Sequence, residues 1–180
     1  MSQRYSDWKQ TTAVFTFGRF NPPHKGHEKL IKKIESYGLP SFVFLSLSHD
    51  NKRNPLTAPD KVRFVKYMVK PTTTVDTARN VILALDTLAG KYQNLIMVVG
   101  DDRVKDFIKA MDAYVKQSGK FKSITVESAG SRSFGNRISA TKMREMATNG
   151  DFEGFKDNLP QALQSRAKEV YEKTRSGLNV

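Results

Sequence analysis

Short apolar runs alternate along this chain with segments whose apolar residues recur every three or four positions. The apolar runs predict strands at residues 13–17, 41–48, 72–75, 95–99 and 121–126. The periodic segments predict helices at residues 24–37, from 57 or 58 onward, 77–89, 104–117, from 139 or 141 to 148, and 159–174. Because strands and helices alternate, the pattern predicts an α/β fold, a Rossmann-like doubly wound parallel sheet with helices on both faces.

The length of 180 residues predicts one domain over residues 1–180, since no internal repeat or low-complexity linker divides it. Residues 1–12 are polar apart from Trp8 and are expected to form a loose lead-in, and residues 159–180 to form a C-terminal helix. The loops that follow the buried strands lie at one edge of such a sheet, where ligands bind in doubly wound folds. This edge is therefore the predicted binding site.

Charge adds a preference for anionic partners. The chain has 30 basic and 18 acidic residues, a formal net charge of +12 that attracts nucleotides or nucleic acid. The basic residues are spread along the chain, which argues against a dedicated nucleic-acid-binding arm. The absence of cysteine excludes disulfides, thiolate catalysis and cysteine-bound zinc. No apolar run reaches the length of about 20 residues that a membrane helix needs. The N-terminus lacks an apolar signal segment, so we expect a cytoplasmic protein without a membrane partner.

A segment rich in glycine, proline and histidine links the first predicted strand to the first helix. It reads GRFNPPHKGH and spans residues 18–27. Free backbone N–H groups and the positive end of the helix dipole are expected to converge there, which suits an anion. His24 and His27 lie on the same side of the first helical turn, and Gly26 allows another group to approach the backbone closely. A metal site here would need a third ligand, and His49 is the only other histidine.

A second segment, ISATKMR at residues 138–144, opens a late predicted helix. Ser139 and Thr141 offer hydroxyl groups at the N-terminus of that helix. Arg144 lies one turn further on, where its guanidinium can bind phosphate oxygens. Taken alone, the segment has the form of an ordinary helix cap.

Together the two segments resemble the signatures of the nucleotidylyltransferase superfamily: a His-x-Gly-His loop after the first strand and an Ile-Ser-x-Thr-x-x-Arg motif in a late helix. The resemblance covers roughly residues 13–144. It implies transfer of a nucleotidyl group from a nucleoside triphosphate to a small phosphorylated acceptor, with release of pyrophosphate. The acceptor phosphate attacks the α-phosphorus in line, so no protein nucleophile is needed. Mg²⁺ is the expected cofactor, held mostly by the nucleotide and water rather than by protein ligands.

The same resemblance implies the roles of individual residues. His24, His27 and Arg144 are the expected catalytic residues: the histidines stabilise the charge of the transition state, and Arg144 holds the leaving pyrophosphate. After the third full strand, Asp101 or its neighbour Asp102 is expected either to meet a ribose hydroxyl or to cap a helix. The expected nucleotide-binding residues are Thr16, Gly18, Phe20, Gly26, Gly100, Asp101, Ser139 and Thr141.

The loop KRNPLTA at residues 52–58 resembles the Asn-Pro-Phe-Thr-Ala stretch of nicotinamide-nucleotide adenylyltransferases of the archaeal kind. This likeness implies transfer of AMP from ATP to nicotinamide mononucleotide, with phosphate contacts from Lys52 or Arg53. Arg132 and Arg137 either bind the acceptor phosphate or enrich a basic loop. Pantetheine phosphate, glycerol phosphate with CTP, flavin mononucleotide and sugar phosphates remain open as acceptors.

An interpretation from another functional class also remains open. The fold could be retained in a basic protein that binds nucleic acid or another polyanion, or that serves in an assembly. Nucleic-acid binding falls steeply as salt rises, whereas release of pyrophosphate would depend on His24 and His27. Enzymes of the superfamily are often homo-oligomers, so a homo-oligomer is a further expectation.

Overall fold

A computed structural model of the chain describes residues 11–130 and 138–180. At its centre is a five-stranded sheet in the order β3-β2-β1-β4-β5, in which every neighbouring pair is parallel. This is the Rossmann-like, doubly wound arrangement that the alternating pattern predicts. The strands are β1 (Thr12–Gly18), β2 (Ser41–Ser46), β3 (Thr73–Ala78), β4 (Asn94–Val99) and β5 (Ser123–Ser128).

Helices cover both faces of the sheet and continue beyond it at the C-terminal end. Short 3₁₀ turns lie at Asp101–Arg103 and Gln161–Arg166. None of the helices within the described residues is long and apolar enough to cross a membrane. The helices are α1 (Lys25–Ser36), α2 (Ala58–Met68), α3 (Val81–Leu88), α4 (Val104–Ser118), α5 (Ala140–Thr148), α6 (Phe152–Asp157) and α7 (Ala167–Leu178).

The alternation of side chains along β1 divides the core between the two faces of the sheet. Ala13 and Phe15 pack on one face with apolar residues of α3 and α4. Val14 packs on the other face with Ile31 and Ile34 of α1. A third apolar cluster joins α5, α6 and α7 to α2, so the C-terminal helices lie beside the carboxyl edge of the sheet.

The helix predicted at residues 77–89 begins later than its pattern indicates. Thr77 and Ala78 belong to β3, where they pair with the end of β2. The helix begins at Val81 because the Asn80 side chain accepts a hydrogen bond from the N–H of Leu83 at 2.9 Å, which sets the N-cap. Pairing in the sheet thus overrides the local helical pattern at these two residues.

The C-terminal helix predicted at residues 159–180, with an early interruption at Pro160, is found over the shorter range Ala167–Leu178. Pro160 precedes the 3₁₀ turn, and only α7 continues as a regular helix from Ala167. The short helix α6 was not predicted, and it is capped by Asp151, whose carboxylate accepts from the N–H of Gly154 at 2.9 Å.

At the other end of the chain, Thr12 already belongs to β1 and is buried, so it is no part of a loose lead-in. Trp8 and the rest of residues 1–10 lie outside the described residues.

Candidate functional site

A cleft of about 570 Å³ opens at the carboxyl edge of the sheet. Its walls come from the carboxyl ends of β1, β2 and β4 and from residues that follow each of the five strands. Other wall residues were not singled out from the sequence; these are chiefly Arg19, Lys29, Ser46, Ser48, Arg79, Asn80 and Arg103. The structure brings together in this cleft the expected site residues Thr16, Gly18, Phe20, His24, Gly26, His27 and Gly100.

The two histidines fold into a reciprocal cap at the start of α1. The Nδ1 atom of His24 accepts a hydrogen bond from the N–H of Gly26 at 3.0 Å, and His27 Nδ1 accepts from the N–H of His24 at 3.1 Å. A neutral imidazole that accepts at Nδ1 carries its proton on Nε2. Both rings are therefore arranged as Nε2–H donors beside the N-terminus of a helix, where the helix dipole is positive.

An aromatic stack supports these rings. The Phe20 ring lies on that of His27 with centroids 4.1 Å apart, and His27 lies against His24 with centroids 3.9 Å apart. Phe20 is buried and has a positive φ of 49°, a conformation that costs a non-glycine residue roughly 1–3 kcal/mol. Such strain persists only where the surroundings hold it, and here the Phe20 ring is buried and stacked on the His27 imidazole.

Gly26 permits the close approach that the sequence predicts, and the approaching group is the imidazole of His24. A Cβ atom on Gly26 would lie 2.7 Å from His24 Cε1. Gly18 has a related role, because a Cβ atom there would lie 3.0 Å from the Phe20 ring. Both glycines thus make room for side chains of the same loop.

The backbone N–H groups at the N-terminus of α1 are bonded within the protein, which corrects the expectation that they are free. The N–H of Lys25 donates to the carbonyl of Asn158 at 3.0 Å, and those of His27 and Glu28 both donate to the carbonyl of His24. The intervening N–H donates to the His24 ring, as described above. An anion in the cleft would therefore meet imidazole donors and the helix dipole rather than backbone amides.

Arg144 extends from α5 to the loop between β1 and α1. Its Nη1 donates to the carbonyl of Asn21 at 3.0 Å, and its Nη2 donates to Thr141 Oγ1 at 3.3 Å. Ser139 is the N-cap of α5 and accepts from the N–H of Lys142 at 3.2 Å. These three motif residues stand beside the cleft rather than on its walls, and Arg144 connects the two sequence motifs.

Like charges cluster around Arg144. Burial lowers the pKa of Arg144, and the positive charges of Arg19 and Arg53 lower it further, against smaller opposing effects of Asp50 and Glu145. The positive charges of Arg19 and Arg53 thus disfavour the charge of Arg144. A polyanion placed among them would relieve their repulsion.

The loop that carries Lys52 and Arg53 is organised by Asp50. The carboxylate of Asp50 accepts from the N–H groups of Lys52 and Arg53 at 2.8 and 2.7 Å, and from the side-chain amide of Asn54 at 2.7 Å. The Asn54 amide and these N–H groups hold the pKa of Asp50 well below its usual range. Neither Lys52 nor Arg53 lies on the wall of the cleft.

Lys61 is a buried cation that sequence reasoning missed, and it contacts Ser46 on the wall of the cleft. It is 0% exposed, and its Nζ donates to the carbonyl of Ser46 at 2.6 Å and to Ser46 Oγ at 3.3 Å. Burial, with a contribution from Arg19, lowers the pKa of Lys61 to about 8. The spacing of apolar residues could have indicated its burial. Lys61 precedes the buried Phe64 by three residues and the buried Val65 by four, which puts it on the apolar face of α2.

Of the remaining candidate residues, one has a structural role and the others lie off the cleft wall or outside the described residues. Thr16 lines the cleft, but its hydroxyl donates to the carbonyl of Val98 at 2.8 Å and ties β1 to β4. Asp101 accepts from the Ser128 hydroxyl at the end of β5 and lies off the cleft wall. Arg132 and Arg137 lie outside the described residues.

The described residues of the site do not provide a set of protein ligands for a resident metal ion. His49 lines a separate cavity between its own loop and α7, away from the histidine pair. Among the described residues no carboxylate lines the cleft, and no group of three metal-binding side chains occurs within residues 11–130 and 138–180. Divalent cations such as Mg²⁺ prefer carboxylate and other oxygen ligands, so this donor set does not fit one.

The sequence matches the cytidylyltransferase-like family over residues 15–146, which is most of the chain. The chain belongs to this family. Membership agrees with the nucleotidylyltransferase superfamily that the two motifs resemble. No curated protein sequence matches the chain significantly.

Solved structures share the fold of this cytidylyltransferase-like chain. One is nicotinic acid mononucleotide adenylyltransferase from Plasmodium falciparum complexed with NaAD, with a TM-score of 0.63, 13% identity, and coverage of 93% of this chain and 97% of that chain. A putative nicotinate-nucleotide adenylyltransferase from Vibrio parahaemolyticus has a TM-score of 0.55 and 16% identity, covering 87% and 98% of the two chains.

Thermotoga maritima TmcAL bound with α-thio ATP is similar over 94% of this chain, with a TM-score of 0.58 and 12% identity. The present chain spans 56% of the TmcAL chain. At these identities the likeness to solved structures establishes the fold.

Proposed function

We propose that this chain transfers AMP from ATP to a phosphorylated acceptor, with a pyridine mononucleotide such as nicotinamide mononucleotide as the preferred acceptor, and releases pyrophosphate. The observation that carries the proposal is the pair of imidazole Nε2–H donors of His24 and His27 on the wall of the cleft. Arg144 is hydrogen-bonded to the loop that bears them. Membership in the cytidylyltransferase-like family supports nucleotidyl transfer as the reaction class.

The choice of substrates has separate support. The KRNPLTA loop resembles that of archaeal nicotinamide-nucleotide adenylyltransferases, and two chains of the same fold are named as adenylyltransferases of nicotinate nucleotides. TmcAL, which also shares the fold, was solved with α-thio ATP. Mg²⁺ enters this proposal as part of the nucleotide substrate, because none of the described residues that line the cleft carries a carboxylate.

The proposed reaction is a single in-line displacement. An oxygen of the acceptor phosphate forms a bond to the α-phosphorus of ATP as the bond from that phosphorus to the bridging oxygen breaks. The electron pair of the broken bond leaves with pyrophosphate. Positioning and stabilisation of charge are the main sources of catalysis in such a reaction. The Nε2–H groups of His24 and His27 would donate to phosphate oxygens as charge develops on them.

Arg144 and the guanidinium groups that act on it complete the proposed phosphate site. Arg144 and Arg53 would hold the β and γ phosphates, because guanidinium forks bind phosphate oxygens through paired hydrogen bonds. Arg19 lines the cleft itself. Ser139 and Thr141 would add hydroxyl groups at the start of α5.

Pyrophosphate release tests the proposal directly. ATP and CTP are each paired with nicotinamide and nicotinate mononucleotide, pantetheine phosphate, glycerol phosphate, flavin mononucleotide and sugar phosphates. We expect the fastest release with ATP and a pyridine mononucleotide, and formation of the corresponding dinucleotide. Equal release by wild type and His27→Ala with every pair would contradict the proposal.

A further inference from the structure

Asn21, in the loop between β1 and α1, links segments that are far apart in the sequence. The residue is 1% exposed. Its Nδ2 donates to the carbonyl of Leu56 at 3.1 Å, and its Oδ1 accepts from the N–H of Leu56 at 2.8 Å. The carbonyl of Asn21 accepts from Arg144 Nη1 at 3.0 Å. One residue therefore joins its own loop to the segment before α2 and to α5.

Each of the three joined segments carries groups of the proposed phosphate site. The loop of Asn21 leads directly to His24 and His27. Leu56 follows Arg53 by three residues, and the intervening loop is braced by the Asp50 carboxylate. A displacement of Leu56 would therefore carry Arg53 with it.

Arg144 lies where its positive charge is disfavoured, so its position needs a restraint. Burial lowers the pKa of Arg144, and the positive charges of Arg19 and Arg53 lower it further. Asn21 bonds Leu56 through its neutral side-chain amide and bonds Arg144 through its neutral main-chain carbonyl. They hold the segments together without cancelling the positive charge that a polyphosphate needs.

We propose that Asn21 is a positioning residue that holds Arg53 and Arg144 next to the histidine pair, so that these groups contact one polyphosphate chain together. The inference rests on the proposed function, since it assumes that this site binds the phosphates of a nucleotide. Asn21 itself does not touch the substrate. It acts through the placement of the two arginines.

Binding of inorganic pyrophosphate to the full chain tests this role without any acceptor. Calorimetric titration gives the affinity of wild type, Asn21→Ala, Arg53→Ala, Arg144→Ala and the two double variants that include Asn21→Ala. Asn21→Ala removes both side-chain hydrogen bonds to Leu56 but keeps the main-chain carbonyl that Arg144 contacts, so it releases the segment of Arg53 directly and affects Arg144 only through a shift of the loop. We expect Asn21→Ala to weaken binding about tenfold in wild type, less than about threefold where Arg53 is already absent, and by a factor between these where Arg144 is already absent. This non-additivity is the signature of a residue that acts through the arginines.

Two results would overturn the proposal. One is an unchanged affinity in Asn21→Ala, and the other is a loss of equal size in all three backgrounds, which is what a general structural effect would produce. Leu88→Ala is the matched control, because Leu88 is buried at the far end of α3 and its truncation destabilises the fold away from the cleft. We expect this control to bind pyrophosphate as wild type does.

If Asn21→Ala does not fold, Asn21→Asp serves in the same cycle. It keeps the size of the side chain and an acceptor for the N–H of Leu56, but loses the donor to the Leu56 carbonyl. The negative charge that Asn21→Asp introduces repels pyrophosphate whether or not Arg53 is present. The loss of affinity that comes from misplacement of Arg53 disappears when Arg53 is replaced. Non-additive losses support the proposal here too, and additive losses overturn it.

The outcome is separable from that of the proposed function. Non-additive pyrophosphate binding with no product from any acceptor supports the role of Asn21 and contradicts the adenylyltransferase proposal. Product formation with additive losses does the reverse. The two proposals therefore stand or fall on different measurements.

Discussion

The imidazole ring of His24 lies against that of His27, with the centroids 3.9 Å apart and the planes inclined by 32°. Each ring accepts a backbone N–H at Nδ1, so the N-cap of α1 and the proposed phosphate donors are the same two side chains. Folding of the helix start thus fixes the direction of both Nε2–H groups before a substrate binds. This kind of preorganisation is what electrostatic stabilisation of a transition state requires.

Replacement of His27 by alanine removes one of these donors. We expect kcat for pyrophosphate release to fall at least about a hundredfold, the usual effect of losing one such donor. The fold should survive, and far-UV circular dichroism and thermal unfolding check this. His49→Ala is the matched control, because His49 lies outside the cleft. Full activity of His27→Ala would remove His27 from the mechanism.

Gly26→Ala should lower the activity while leaving the thermal stability nearly unchanged. The added Cβ would lie 2.7 Å from His24 Cε1, so the imidazole must turn away from its position. Alanine also favours a helix over glycine by up to about 1 kcal/mol, which offsets part of the lost cap. We therefore expect a large loss of kcat/KM with little change in Tm. Lys33→Ala, on the last turn of the same helix, should retain activity, and an active Gly26→Ala enzyme would show that the His24 orientation is unimportant.

The buried Lys61 predicts a pH-dependent stability. Its pKa is about 8 in the folded protein and 10.5 is its ordinary value, so the unfolded chain binds more protons between these pH values. The cost of burying the charge is therefore full below pH 8 and disappears as the pH rises toward 10.5. Lys61→Met lacks this cost.

Urea unfolding of wild type and Lys61→Met at several pH values checks that prediction. We expect the free energy of unfolding of the wild type to rise by roughly 2–3 kcal/mol relative to that of the variant between pH 7 and pH 10.5. Other titrating groups cancel in the difference between the two proteins. A difference that is constant over this range would show that Lys61 has an ordinary pKa in the folded protein.

Gly177 in α7 predicts a stability defect that also affects the site. A Cβ atom there would collide with the main-chain carbonyl of Pro55, which has no flexible side chain to move aside. Gly177→Ala should therefore lower the free energy of unfolding by about 1–3 kcal/mol, although alanine is the better helix former. We also expect weaker pyrophosphate binding, because Pro55 is next to Leu56. Glu172→Ala, at an exposed position of α7, provides the comparison in the same denaturant titrations.

Comparison of pattern and structure explains where sequence reasoning was sufficient. The apolar runs of β1, β2 and β4 predict buried strands because a parallel sheet covered on both faces leaves little room for polar residues. Helix caps are local: the sequence predicts Ser139 or Thr141 as the cap of α5, and the structure has Ser139. Errors arose where distant pairing outweighed local preference, as at Thr77 in β3. The expectation of free N–H groups at the start of α1 was also wrong, because the carbonyl of Asn158, far along the chain, accepts from the N–H of Lys25.

The sequence by itself determined the α/β fold and put the two histidines at the start of α1, because the period of apolar residues and the Gly/Pro loop are local properties of the chain. Tertiary structure alone decided that Arg144 donates to the carbonyl of Asn21, 123 residues away. It also decided that Lys61 is buried and donates from Nζ to the carbonyl of Ser46. Such contacts depend on how whole elements pack, since the direction of a side chain relative to a distant backbone is set only when the layers come together.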